Sequence, residues 1–256
     1  IYKKDEPCED TIFLVLDGEV NFETDSEQTS YKKSYKKSDY FGLESLFSKK
    51  FVNTAKSNLN STKVLIISKS SFQKLLKVDN HFLAKLVDIS LNYLESISAD
   101  IIKAPEKPLS IVDVFGQGAD RISESVKKEN MKIIDHINLA NIRTLSPNSL
   151  LFSENDKKDN SIYLILQGEI EQSKLVGKEE KHVITIGPGA LFGFLKKPNN
   201  QGHVLTARAT IVTTKVVNLN HEVLVKVSEI SPHLAFCIFL NVIITIAIVE
   251  SAMIKR

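Results

Sequence analysis

Short apolar runs of strand length, each closed by a glycine, recur along the chain. IFLVL at 12–16 runs into Asp17-Gly18, and IYLIL at 162–166 runs into Gln167-Gly168. An apolar run of this length bounded by a turn signal predicts a buried strand. HVITI at 182–186 leads into Gly187-Pro188-Gly189, which predicts another turn. KVLII at 63–67 and KVVNL at 215–219 predict late strands, and after each the period lengthens towards 3.6. SSFQKLLKVDNHFLAKLVDISLNYLESI, 70–97, opens with serines able to cap a helix. Phe82, Leu83, Leu86, Ile89 and Tyr93 then fall on one face.

The pattern occurs twice. IFLVLDGEV at 12–20 matches IYLILQGEI at 162–170, with five identities in nine at an offset of 150. Ile1-Tyr2 pairs with Leu151-Phe152, Tyr40-Phe41-Gly42 with Leu191-Phe192-Gly193, and TAKSNLNSTKV at 54–64 with TARATIVTTKV at 206–216. The offset drifts only to 152, which describes a duplicated domain, and a period of ~150 is too long for a solenoid. The predicted fold is mainly β with α: two β-rolls, jelly-roll-like double-stranded β-helices, each followed by helices. The first domain is placed at 1–102 and the second at 126–256. The linker, 103–125, carries Pro105 and Pro108, which stop the preceding helix. SVKKENMKIIDHINLANIRTL, 125–145, reads as an entry helix for copy two. Copy one lacks a counterpart, so the N-terminal part of its domain is expected to be missing and the natural protein to extend further.

Composition narrows the function classes. With 43% hydrophobic and 25% charged residues the chain is an ordinary globular one. A net charge of +2 is too small to argue for nucleic acid. Cys8 and Cys237 stand far apart, which excludes a disulfide framework and a Cys-based zinc site and favours a reducing, cytoplasmic compartment. The six histidines show no H-E-x-x-H or paired spacing, so no metal is expected. His81 and His233 read as helix-entry residues. His203, beside Gly202, reads as a surface-loop histidine, with anion binding when protonated as the other reading. Gly116-Gln117-Gly118 is a lone G-x-G in the linker, and YKKSYKKSDY at 31–40 reads as a solvated hairpin with alternating faces. No G-x-S-x-G, P-loop or Cys–His pattern supports an enzyme. Only four of the 33 basic residues are arginines, and the first of them is Arg121.

In each copy the order is strand, polar turn, the IFLVLDGEV or IYLILQGEI run, a hairpin, an aromatic-glycine step, strand and helix. This resembles the cyclic-nucleotide-binding domain, the β-roll shared by bacterial catabolite-activator regulators and protein kinase A regulatory subunits. The resemblance covers 1–102 and about 125–256. It implies a phosphate cassette in which a Gly-Glu follows the late aromatic and an arginine stands a few residues before the next strand. The glutamate takes the ribose hydroxyl and the arginine clamps the cyclic phosphate. In copy one Gly42 is followed by Leu43, with Glu44 one residue away, and the arginine position falls at Phe51. In copy two Gly193 is followed by Phe194, and the arginine position falls at His203. Arg208 stands five residues further on, where the family often has a strand arginine unrelated to phosphate. Each lost charge-assisted bond costs ~1.5–3 kcal/mol, so losing both removes roughly two to four decades of affinity. Both cassettes are therefore degenerate, and neither cAMP nor cGMP is expected as a ligand.

LAFCIFLNVIITIAIV, 234–249, has Asn241 and Thr245 as its only polar residues. As a helix it spans ~24 Å, short of a ~30 Å hydrocarbon core. A helix apolar on every side must be covered on every side. In bacterial relatives of the fold the equivalent helix forms the dimer seam. That model makes Phe236, Phe239, Leu240, Ile243, Ile246 and Ala247 an interface for a protein partner or a second copy, with burial within one chain the second reading and membrane contact the third. The function these readings favour is a non-catalytic regulatory or structural protein that mediates assembly. The alternative is a regulator responsive to a cyclic nucleotide or other small ligand. A DNA-binding regulator ranks third, because no helix-turn-helix pattern follows the last helix, and nucleic acid is not an expected partner.

Overall fold

The apolar runs become strands closed by left-handed glycines. Gly18 and Gly168 adopt φ of 82° and 76°, and a Cβ on either would lie 2.8 Å from the Cα of Thr62 or Thr214. Thr62 and Thr214 each donate a hydroxyl hydrogen bond across that turn, to the carbonyls of Glu19 and Glu169. Only glycine fits both the dihedral and the contact. The computed structural model describes residues 1–8, 11–26, 29–43, 50–51, 53–57, 61–103, 124–135, 142–157, 162–176, 178–193 and 202–254.

The chain divides into two compact units, Ile1–Val78 and Asp79–Arg256. The first holds β1 (Ile12–Asp17), β2 (Glu19–Ser26), β3 (Thr29–Lys36), β4 (Tyr40–Phe41), β5 (Thr54–Ser57), β6 (Lys63–Ile67) and α1 (Lys69–Val78). Its described strands form two antiparallel sheets, ordered β4-β1-β6 and β3-β2-β5. Phe13, Val15 and Phe41 from one sheet and Val20, Phe22, Tyr35 and Ala55 from the other make one core. In the β2–β3 hairpin Glu19 stands opposite Lys36 and Glu23 opposite Lys32. Cross-strand pairs of opposite sign are the favourable arrangement. Lys36 and Lys32 of YKKSYKKS thus stand at register positions opposite acidic residues, while Lys33 stands opposite Phe22.

The second unit repeats this plan. Its strands are β7 (Ile142–Leu145), β8 (Leu150–Phe152), β9 (Tyr163–Gln167), β10 (Ile170–Val176), β11 (Glu179–Ile186), β12 (Leu191–Phe192), β13 (Thr206–Ala209) and β14 (Thr214–Asn218). The sheets run β12-β9-β14-β7 and β11-β10-β13-β8. β9 takes the place of β1 between the same neighbours, and its core draws on Tyr163, Phe192 and Val216 from one sheet and Ile170, Ala207 and Ala209 from the other. Residues 12–20 and 162–170 thus occupy the same topological strands. The entry helix is shorter than the sequence suggests. Helix α3 (Glu124–Met131) passes into a 3-10 turn, Lys132–Asp135, and Ile142–Leu145 is a strand paired with β14. Its branched Ile142 and Thr144 suit that ladder.

The helical stretch 70–97 breaks at Asp79-Asn80-His81, where α2 (Phe82–Lys103) begins. Asp79 caps it. Its Oδ1 accepts the His81 N–H at 2.9 Å, its backbone carbonyl accepts the Phe82 N–H, and Lys85 Nζ lies 2.6 Å from Oδ2. The Lys85 ammonium first, and then the His81 amide, hold the Asp79 carboxyl below its usual 3.8. A carboxyl depressed in the folded state stabilises above its unfolded value, and that contribution is lost as pH falls through the folded value. The melting-temperature gap between wild type and Asp79→Asn is thus expected at neutral pH and should close in acid. A gap unchanged from pH ~7 to ~2 would contradict this.

The units cut across the sequence repeat, because α2 follows copy one yet packs with α4 (His221–Ile230) and α5 (Pro232–Ile254) in the second unit. This packing corrects the expected interface. Phe236, Phe239, Ile243 and Ile246 are buried within the chain, as is every side chain from Leu234 to Ile246 except the half-buried Leu240. Helices α2, α3 and α4 all contact α5, so several elements cover its faces. The apolar pattern demands cover, and copy one's helix α2 supplies part of it. The side chain of Ala247 lies outside the described residues. Helix α2 keeps a solvated stripe at Lys85, Asp88 and Asn92. Among the described residues no helix is long and apolar enough to cross a membrane.

Candidate functional site

Each β-roll presents its cassette beside a turn held by the same backbone bonds. In copy one the Phe51 N–H donates to the Glu6 carbonyl at 3.0 Å, and the Phe51 carbonyl accepts the Asp5 N–H at 2.8 Å. In copy two the His203 N–H donates to the Asp156 carbonyl at 3.1 Å, and the His203 carbonyl accepts the Asn155 N–H at 3.0 Å. Asp5 and Asn155 share a left-handed φ of 67° and 73°. Thr54 and Thr206 hydroxyls accept from the Lys4 and Glu154 amides. Phe51 and His203 are therefore equivalent, as the offset of 152 predicts.

At this position both copies carry a flat ring stacked on a second aromatic, Tyr2 or Phe152. Phe51 lies on Tyr2 with ring centroids 3.7 Å apart and planes 11° from parallel. His203 lies on Phe152 at 3.7 Å and 9°. Behind each stack are more rings. Phe13 and Phe41 stand 5.0 Å apart in copy one, with Tyr2 5.4 Å from Phe13. Tyr163 and Phe192 stand 5.5 Å apart in copy two, with Phe152 5.9 Å from Tyr163. Phe51 is 6% exposed and His203 4%, so His203 is an interior residue and the surface-loop reading is corrected. The paired ring supplies its burial. Such pairs add ~0.5–1.5 kcal/mol beyond the area they bury.

The remaining cassette positions fall into four groups. Gly42 and Gly193 adopt φ of 71° and 85°. A Cβ on Gly42 would come 2.7 Å from the Phe13 ring, which fixes that glycine against the aromatic cluster. Leu43, at the glutamate position, is buried. Glu44 and Phe194 lie outside the described residues, with the rest of 44–49 and 194–201. Arg208 is on β13 between the core residues Ala207 and Ala209, so strand alternation turns it to the opposite face. Its guanidinium donates to the Asn148 carbonyl at 3.3 Å and stands 4.0 Å from Glu180. Sequence reasoning missed Tyr2 and Phe152, although the repeat itself pairs them at an offset of 150.

The family model of the cyclic nucleotide-binding domain matches residues 1–79 and 142–230, one segment over each β-roll. The chain belongs to the cyclic nucleotide-binding domain family. Solved structures that resemble the chain are distant. The regulatory domain of Toxoplasma gondii PKA with cAMP is 13% identical, with 86% of this chain and 74% of that one covered and a TM-score of 0.30. A cyclic nucleotide-binding domain from Methylobacillus flagellatus is 18% identical over 51% and 79% of the two chains, with a TM-score of 0.35. CprK complexed with OCPA is 18% identical over 52% and 57%, with a TM-score of 0.39. No curated protein matches the chain in sequence.

Proposed function

We propose that this chain is a non-catalytic regulatory or structural protein of the cytoplasm whose two cyclic nucleotide-binding folds mediate protein assembly. In this reading both cassettes are degenerate, and its own side chains close the cradles. The observation that carries it is the stacked ring at the arginine position of both copies. In copy one a cyclic phosphate entering there meets the apolar Phe51 ring in place of a guanidinium, and an anion without a charged partner stays in water; in copy two the His203 ring is stacked on Phe152 and 4% exposed. Leu43 supplies no acceptor for a ribose hydroxyl in copy one. The assembly surface lies elsewhere than on α5 between Leu234 and Ile246, since that stretch is already covered. The alternative, a regulator responsive to a cyclic nucleotide or other small ligand, is favoured by family membership and by the left-handed Gly42 and Gly193.

Restoring the cassette tests the assignment. Phe194→Glu with His203→Arg is expected to create cyclic-nucleotide binding measurable by calorimetry, where wild type shows none. At a ligand concentration ~1,000 times Kd, specific binding also raises stability by ~4 kcal/mol, which a thermal melt detects. A folded double variant that gains no binding would contradict the placement of the cassette.

A further inference from the structure

We propose that His81 and His221 form a two-histidine site for a divalent first-row transition metal, independent of the cradles. The two residues are 140 positions apart, and the fold of the second unit brings them together. His81 Nδ1 stands 3.3 Å from His221 Nε2, with ring centroids 5.6 Å apart and planes inclined by 32°. Two imidazole nitrogens bound to one tetrahedral zinc at ~2.0–2.1 Å are separated by roughly 3.3–3.4 Å. The spacing thus already suits a shared metal. A shared proton holds the nitrogens along the line between them. Turning each ring by roughly 35° off that line directs both lone pairs at a single ion in the tetrahedral arrangement.

Both backbones are fixed while both rings face solvent. The His81 amide is held by Asp79 Oδ1, its carbonyl accepts the Lys85 N–H at 3.0 Å, and Asn80 Nδ2 donates to Glu229 Oε1 at 2.6 Å. His221 is the first residue of α4, whose N-cap Asn220 accepts the Val223 N–H at 3.0 Å. The rings are exposed, so water can complete the coordination. Imidazole ligands select zinc, copper and nickel over magnesium and calcium. Both rings also sit at helix N-termini, whose dipoles oppose a cation within the first turn. That opposition tempers the affinity without altering the spacing.

The test uses the tag-free full chain titrated with Zn2+, Ni2+ or Cu2+ salts by calorimetry. Wild type is expected to bind one ion at least ~10-fold more tightly than His81→Ala or His221→Ala, while His182→Ala behaves as wild type. Cu2+ bound to wild type should show hyperfine coupling to two equivalent nitrogens in its electron paramagnetic resonance spectrum. That measurement needs no variant to fold, and His81→Gln and His221→Gln serve if the alanine variants unfold. Equal affinity in wild type and both variants, or coupling to one nitrogen only, would overturn the site and leave the contact as a hydrogen bond.

Discussion

Placing charge on the C-terminal helix is expected to unfold the second unit. Phe239 and Ile243 are both fully buried on α5, with α2, α3 and α4 packed around the helix. Phe239→Lys with Ile243→Asp removes two core side chains, at ~3–5 kcal/mol for the first and a comparable loss for the second. It also buries charge that is not matched to the site, which adds several kcal/mol. A domain whose whole stability is ~5–15 kcal/mol does not survive that sum. Circular dichroism should show the helical signal lost, and size exclusion an expanded or aggregated species. A variant that melts like wild type and merely has a smaller assembly mass would show that the helix faces another chain.

The second large effect belongs to the ring stack of copy one. Phe51→Ala is expected to destabilise the first unit by ~3–5 kcal/mol, the usual cost of truncating a buried phenylalanine. Tyr2, left facing the cavity, loses its stacking partner at 3.7 Å. His203→Phe makes the contrasting case, because it installs in copy two the ring that copy one already uses. It preserves the stack on Phe152 and should therefore cost less than Phe51→Ala. Denaturant unfolding resolves both values. A Phe51→Ala variant as stable as wild type would mean that the ring lies outside the core.

The strands and their duplication were readable because burial imposes an apolar run and a glycine turn at fixed places. Gly18 and Gly168 kept their role in both copies for the same steric reason. The cassette was readable in part: offset alone aligned Phe51 with His203, but no sequence pattern told that each ring would turn inward onto Tyr2 or Phe152. Stacking is a tertiary contact between residues 49 and 51 positions apart. The cover of α5 was hidden for a similar reason. Its apolar pattern demanded cover, and periodicity cannot name the element that provides it. Helix α2 follows one β-roll in sequence and packs in the unit of the other. The His81–His221 approach, across 140 residues, left no spacing signal at all.

The most direct measurement is calorimetric titration of the wild-type chain with cAMP and with cGMP. Closed cradles predict no saturable heat from either nucleotide at micromolar concentrations. A dissociation constant below ~1 μM, worth more than ~8 kcal/mol of binding, would require a phosphate clamp that stacked Phe51 and His203 leave no room for, and would contradict the account.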